Sequence, residues 1–176
     1  MNLTDGLDGL ATVPVILVAS CFALISYVSG NMVFSGYLQI PYIEGVGEAS
    51  IFCGAIIGAC LGFLWFNAPP AKIFMGDTGS LTIGAILGSI ALLTNSIFTL
   101  SIFSGIFIIE SLSVMIQVGF FKITKKLFHR GKRVFLMAPL HHHFELKGVK
   151  EQKIVENFWK INILLVILGI VLKINL

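Results

Sequence analysis

Five long apolar stretches constrain this chain more than anything else in it. They fall at about residues 10–28, 49–66, 79–93, 97–121 and 158–172. Several reach the roughly 20 residues that a helix needs to cross a bilayer. The runs are continuous, not alternating, which argues against a transmembrane barrel. Backbone surrounded by lipid must satisfy its own hydrogen bonds, so helices are what remains. With 56% hydrophobic and 12% charged residues and a mean hydropathy of +0.94, the chain lies outside the range of ordinary soluble domains. The expected fold class is all-α. It is a polytopic membrane protein whose residues 1–176 form a single membrane-embedded domain with about five transmembrane helices.

Charge orients the spans. Nine of the twelve Lys and Arg lie between Lys122 and Lys153. A basic loop of this kind could meet nucleic acid, but between two spans it marks the cytoplasmic side, and no nucleic-acid partner is expected. With five spans, the segments at about 1–9, 67–78 and 122–157 share that side. The glycine-rich stretch 29–48 lies on the other side, and its composition predicts turns and a short hairpin. Cys21, Cys53 and Cys60 fall inside apolar runs, where cysteine packs as a small hydrophobe. No disulfide or zinc spacing is present, and the polar, acidic start lacks a signal-peptide pattern. Gly54, Gly58 and Gly62 share one face of the second span, a spacing that permits close helix contact.

Every polar motif falls on the same side. The first is NLTDGLDG, where Asp5 and Asp8 stand three apart and can face one pocket from a helical turn. Thr4 or Asp5 acting as a helix cap explains the same residues without a ligand, and both readings stay open. The second is the polar island 67–80, NAPPAKIFMGDTGS. Asp77 there suits magnesium, which prefers carboxylates and substrate phosphates. Thr78, Gly79 and Ser80 open a helix whose free amides favour anions, although Asp77 could simply cap that helix. No Walker sequence is present.

The third motif is His141-His142-His143-Phe144-Glu145. Three adjacent histidines cannot all face one metal from a regular helix, and beside a basic loop they suit a diphosphate better. Glu110 and Gln117 lie seven apart on nearly one face of the fourth span. A carboxylate within a span is costly unless it faces the bundle interior, so Glu110 has either a function or a structural partner. Gln117, nearer the basic loop, is the better placed to reach the site.

Taken in order, NLTDGLDGLA, FNAPPAKIFMGDTGSL, ESLSVMIQV and MAPLHHHFELKG closely resemble the bacterial phospho-N-acetylmuramoyl-pentapeptide transferase family, within the polyprenyl-phosphate N-acetylhexosamine-1-phosphate transferases. The likeness covers essentially the whole chain, and the triple histidine is its most specific part. It implies a multi-pass enzyme of the bacterial inner membrane with its active site on the cytoplasmic face. The implied reaction passes phospho-MurNAc-pentapeptide from UDP-MurNAc-pentapeptide to undecaprenyl phosphate, giving lipid I and UMP in the first membrane step of peptidoglycan synthesis.

By that resemblance, Asp77 binds Mg2+ and joins His141, His142 and His143 in catalysis. Asn2, Asp5, Gly6, Leu7, Asp8, Asn67 and Phe74 line the nucleoside pocket, with Phe74 stacked on uracil. Gln117, Ala138 and His141 lie along the diphosphate and sugar path. The implied partners are both substrates, the bilayer and a homodimer mate. Family members carry a further N-terminal half with an Asp-Asp pair. The chain is therefore expected to be a C-terminal half that needs that half or a partner chain and is inactive alone. Val149 stands where the family commonly has an aromatic residue.

Other readings are a sister UDP-N-acetylhexosamine phosphotransferase, separable by which UDP-sugar is consumed, and an inactive fragment. A transporter is suggested by Glu110 and the glycine-rich helices. Against it, the polar residues gather at one face and do not line a path across the midplane.

Overall fold

Thr12–Ser29 forms α1, the central helix of the computed structural model, which describes residues 1–175. Pro14 falls in its first turn, where a missing amide donor does no harm. Val15, Val18, Ala19 and Phe22 are buried almost completely. Around them pack α3 (Ala49–Asn67), α4 (Gly76–Leu93), α5 (Ile97–Phe103), α6 (Gly105–Phe128) and α8 (Glu151–Asn175). The short helices α2 (Met32–Leu38) and α7 (Leu140–Leu146) complete the set, and no strand occurs among the described residues.

Five of these helices are long and apolar enough to cross a membrane. Leu61, Trp65, Met115 and Leu164 point outward, as suits helices solvated by lipid. A second core forms at the end where the chain begins. There Leu7, Leu10, Ile106, Ile154, Val155 and Phe158 bury one another.

Three stretches differ from the composition-based expectation. The fourth apolar run, 97–121, is two helices broken at Ser104, and the crossing helix α6 continues to Phe128. The break has a physical cause in α8, which approaches closely. A Cβ on Gly105 would lie 2.8 Å from Leu165, and one on Gly169 would lie 2.6 Å from the Phe103 ring. The carbonyl of Phe103 instead accepts the Asn162 amide at 2.9 Å.

The stretch 29–48 forms α2 and a 3-10 turn, not a hairpin. The side chain of Asn31 caps α2 by accepting the amides of Val33 and Phe34. The basic segment is shorter as a loop than expected, because its first and last residues belong to α6 and α8.

The glycine stripe of α3 also behaves differently. Added Cβ atoms at Gly54, Gly58 and Gly62 would meet nothing within 4 Å. The face that α3 turns to the core is instead Ala49, Cys53, Ile56, Ile57 and Cys60. Apolar burial decided the orientation, and the small-residue stripe was left outside.

Candidate functional site

The N-terminal motif begins as a 3-10 turn over Asn2–Thr4 and continues as irregular chain to α1. Irregular backbone near a membrane needs its polar groups paired, and here they pair with the loop that follows α3. Asn67, buried at the end of α3, accepts the Gly9 amide at 3.1 Å and the Thr12 hydroxyl at 2.7 Å. Its own amide donates to the Ile73 carbonyl at 2.9 Å. Asp8 accepts the Ala71 amide at 2.9 Å, and Asp5 accepts the Gly76 amide at 3.0 Å. The indole of Trp159 donates to the Gly9 carbonyl at 3.2 Å. These bonds join the motifs at 5–9 and 67–76 into one unit.

This arrangement removes one reading of the aspartates, that they cap the helices that directly follow them. Neither Thr4 nor Asp5 caps α1, whose N-cap is Ala11 with no side-chain cap. Asp5 instead satisfies an amide at the start of α4, a helix far away in sequence. Burial pushes the Asp5 carboxyl above its ordinary value, and the Gly76 and Met75 amides act in the opposite sense. Asp77 is not a cap either. It lies inside the first turn of α4, exposed, with no side-chain bond among the described residues. A free carboxylate beside unpaired helix amides suits a cation that bridges to an anion.

The triple histidine separates into three environments on α7. His141 is 1% exposed, and its Nδ1 lies 3.2 Å from Oε2 of the fully buried Glu110. The same carboxylate oxygen accepts the Leu140 amide at 2.9 Å. The other edge of the His141 ring faces the N-terminal motif, where a Cβ on Gly6 would lie 2.5 Å from Nε2. Half-buried His142 pairs through Nδ1 with Glu145. His143 accepts the Leu136 amide at Nδ1, 3.1 Å away, so in the neutral ring the proton sits on Nε2.

Glu110 thus has a partner that its position in a span left open, and that partner is a histidine. Gln117 does not project into open space. Its Oε1 accepts the amides of Val134 and Phe135, each at 3.0 Å, and its amide donates to the Phe135 carbonyl at 3.0 Å. One further heptad along, Thr124 accepts the Lys132 amide at 2.9 Å. Glu110, Gln117 and Thr124 therefore form one stripe on α6, with successive members roughly 10 Å apart along the helix axis. The stripe holds the backbone of 132–140 antiparallel to that helix. The role of Thr124 escaped sequence reading, although its seven-residue register with Gln117 was available.

The remaining expected residues divide clearly. Asn2 is partly exposed in the first turn, and Ala138 is partly exposed just before α7. Phe74 lies on the loop before α4 with 56% of its surface exposed, so its ring can receive a ligand. The side chain of Leu7 is buried in the second core. The motifs at 1–9, 67–80 and 138–145 do meet. Among the described residues, no three His, Cys, Asp or Glu side chains form a ready-made metal cage.

Comparison with known proteins gives a consistent picture. The sequence model described as glycosyl transferase family 4 matches residues 1–95. A Prochlorococcus marinus (strain MIT 9301) protein named phospho-N-acetylmuramoyl-pentapeptide-transferase is 73% identical over 176 residues, which is 100% of this chain and 46% of the relative. A protein of the same name from Pelagibacter ubique (strain HTCC1062) is 64% identical over 170 residues, covering 97% of this chain and 45% of the relative. Another from Rickettsia bellii (strain OSU 85-389) is 56% identical over 170 residues, covering 97% and 46%. The chain spans about half the length of the curated relatives it matches.

Proposed function

The chain belongs to glycosyl transferase family 4, and on that premise we propose that it contributes the active-site residues described above to a phospho-MurNAc-pentapeptide transferase. The donor substrate is UDP-MurNAc-pentapeptide, the acceptor is undecaprenyl phosphate, and the products are lipid I and UMP. The names of the similar proteins support this reading. The observation that carries it is the position of Asp77, free and exposed beside the amide that Asp5 holds.

In this reaction an oxygen of the lipid phosphate attacks the β-phosphorus of the donor. The bond from that phosphorus to the bridging oxygen breaks, and UMP leaves. Asp5 and Asp8 hold the loop before α4 and Asp5 takes the Gly76 amide, so Asp77 and the amides that follow Gly76 meet the diphosphate together. Asp77 is the residue that would hold a magnesium ion, a hard cation suited to a carboxylate and to substrate phosphate. Such an ion, when bound, neutralises diphosphate charge. The exposed Phe74 ring stacks on the uracil. His143, whose Nδ1 accepts the Leu136 amide, has its Nε2 proton to offer a phosphate oxygen, and Lys132 and Arg133 add positive charge. The Lys and Arg distribution supports a cytoplasmic site on a bacterial inner membrane.

The test is a transfer assay on the full-length enzyme in proteoliposomes. UMP release should require UDP-MurNAc-pentapeptide, undecaprenyl phosphate and magnesium together. Asp77→Asn should lower turnover by about 10³-fold, the upper range for removing one electrostatic group at a reacting centre. Consumption of UDP-N-acetylglucosamine in preference, or full turnover by Asp77→Asn, would refute the assignment.

A further inference from the structure

Glu110, His141 and Gly6 come from α6, α7 and the N-terminal motif, yet they stand in one line that runs from a buried pair to the exposed backbone of Gly6. Glu110 is 0% exposed and His141 is 1% exposed. Oε2 of Glu110 already accepts the Leu140 amide, which marks that oxygen as an acceptor, so the hydrogen between it and His141 Nδ1 is assigned to the imidazole. The Leu140 bond also fixes the first turn of α7 relative to α6. Two atoms of the pair have no hydrogen-bond partner and almost no accessible surface, Oε1 of Glu110 and Nε2 of His141. A proton on Nε2 would be a buried donor without an acceptor, and a bare lone pair is less costly. The Nε2 edge lies against Gly6, where no side chain could be accommodated without displacing the ring.

We propose that Glu110 and His141 are positioning residues, a buried brace that supports the Asp5–Asp8 turn from beneath, and that His141 does not act by touching substrate. The inference rests on the transferase reading for its consequence in turnover, but not for its geometry. Glu110 fixes His141 as the Nδ1–H tautomer. The ring holds Gly6 in place, and the turn carries Asp5 to the first amide of α4, next to Asp77. The histidines left for substrate are His142 and His143, which are both partly exposed. Misplacing a reacting group by about 1 Å can lower turnover by about 10²-fold.

Amide isosteres separate a brace from a contact. Asn at position 141 reproduces the Nδ1 donor toward Glu110, whereas Gln reproduces the Nε2 position toward Gly6. In the full-length enzyme, His141→Asn and Glu110→Gln should keep most of the wild-type kcat. Glu110→Ala and His141→Gln should lose about 10²-fold in kcat with little change in KM. Glu110→Ala should add nothing further in a His141→Ala background.

Independently of activity, nitrogen-15 spectra in liposomes should show His141 protonated at Nδ1 and bare at Nε2. Glu110→Ala should abolish that preference and speed amide exchange at Gly6 and Leu7. A proton on Nε2 in the wild type, or His141→Gln outperforming His141→Asn, would overturn the brace. If the wild-type enzyme transfers no phospho-sugar, the functional reading fails. The tautomer and exchange measurements still decide the brace.

Discussion

Asp5 accepts the backbone amide of Gly76 at 3.0 Å, so the first turn of the chain satisfies the start of helix α4 across 71 positions of sequence. The residue after that amide is Asp77. A carboxylate three residues from the motif's start therefore sets where a second carboxylate stands, and it does so through a backbone bond.

The pH dependence of stability tests this contact. Burial raises the Asp5 carboxyl above 3.8, so the folded state binds more protons than the unfolded state just above that pH. The stabilising contribution is complete below 3.8 and is lost as pH rises through the folded value. Asp5→Asn keeps an oxygen for the Gly76 amide but cannot ionise. In detergent micelles, the wild-type unfolding midpoint should fall relative to Asp5→Asn as pH rises above 3.8. Parallel curves for the two proteins would contradict the assignment.

Asn67 offers a larger effect. Its carbonyl serves both the Gly9 amide and the Thr12 hydroxyl, and all three groups are buried. Asn67→Ala leaves two donors unpaired, each costing about 1–3 kcal/mol, so a loss of about 2–6 kcal/mol is expected. Equilibrium unfolding gives the total. Faster exchange at the Gly9 amide, with α8 amides unaffected, would locate the change.

Gln117 gives a local phenotype. Gln117→Leu removes three hydrogen bonds to Val134 and Phe135, and the segment between α6 and α7 loses its middle anchor. Trypsin should then cut at Arg130, Lys132 and Arg133 faster than in the wild type. Thr124→Val, which removes one bond to Lys132, should show a smaller increase. Equal cleavage of all three proteins would mean that the α6 stripe does not restrain the segment.

Asn162 is a control remote from the site. Its amide meets the Phe103 carbonyl exposed by the break between α5 and α6. Asn162→Leu should destabilise by about 1–3 kcal/mol, the cost of an unpaired buried acceptor. Transfer activity per folded molecule should remain unchanged. A selective drop in kcat would show that the break communicates with the site.

The candidate residues were readable by type and motif, but little of their geometry was. Asp5, Asp8, Asn67, Asp77 and the histidines were all identifiable from residue type and motif, and their common side followed from counting spans. What each side chain bonds was not readable. Asn67, expected at a nucleoside, spends its carbonyl and amide on the chain itself. Gln117 does the same with the backbone after α6. The stripe Gly54, Gly58 and Gly62 suggested helix contact, yet α3 turns it outward, because spacing shows that a close approach is permitted but not which face is buried.

The sequence by itself determined the number of membrane-crossing helices and the clustering of charge at one end. Both depend on sums over many neighbouring residues, and such sums survive small errors in any one position. Only the tertiary structure decided that Asp5 meets Gly76, that α5 and α6 part at Ser104, and that Glu110 holds His141 beneath Gly6. Each of those depends on angstrom-scale placement of groups far apart in the chain. A hydrogen bond weakens steeply outside its narrow range of distance and angle, so local spacing cannot specify its partner.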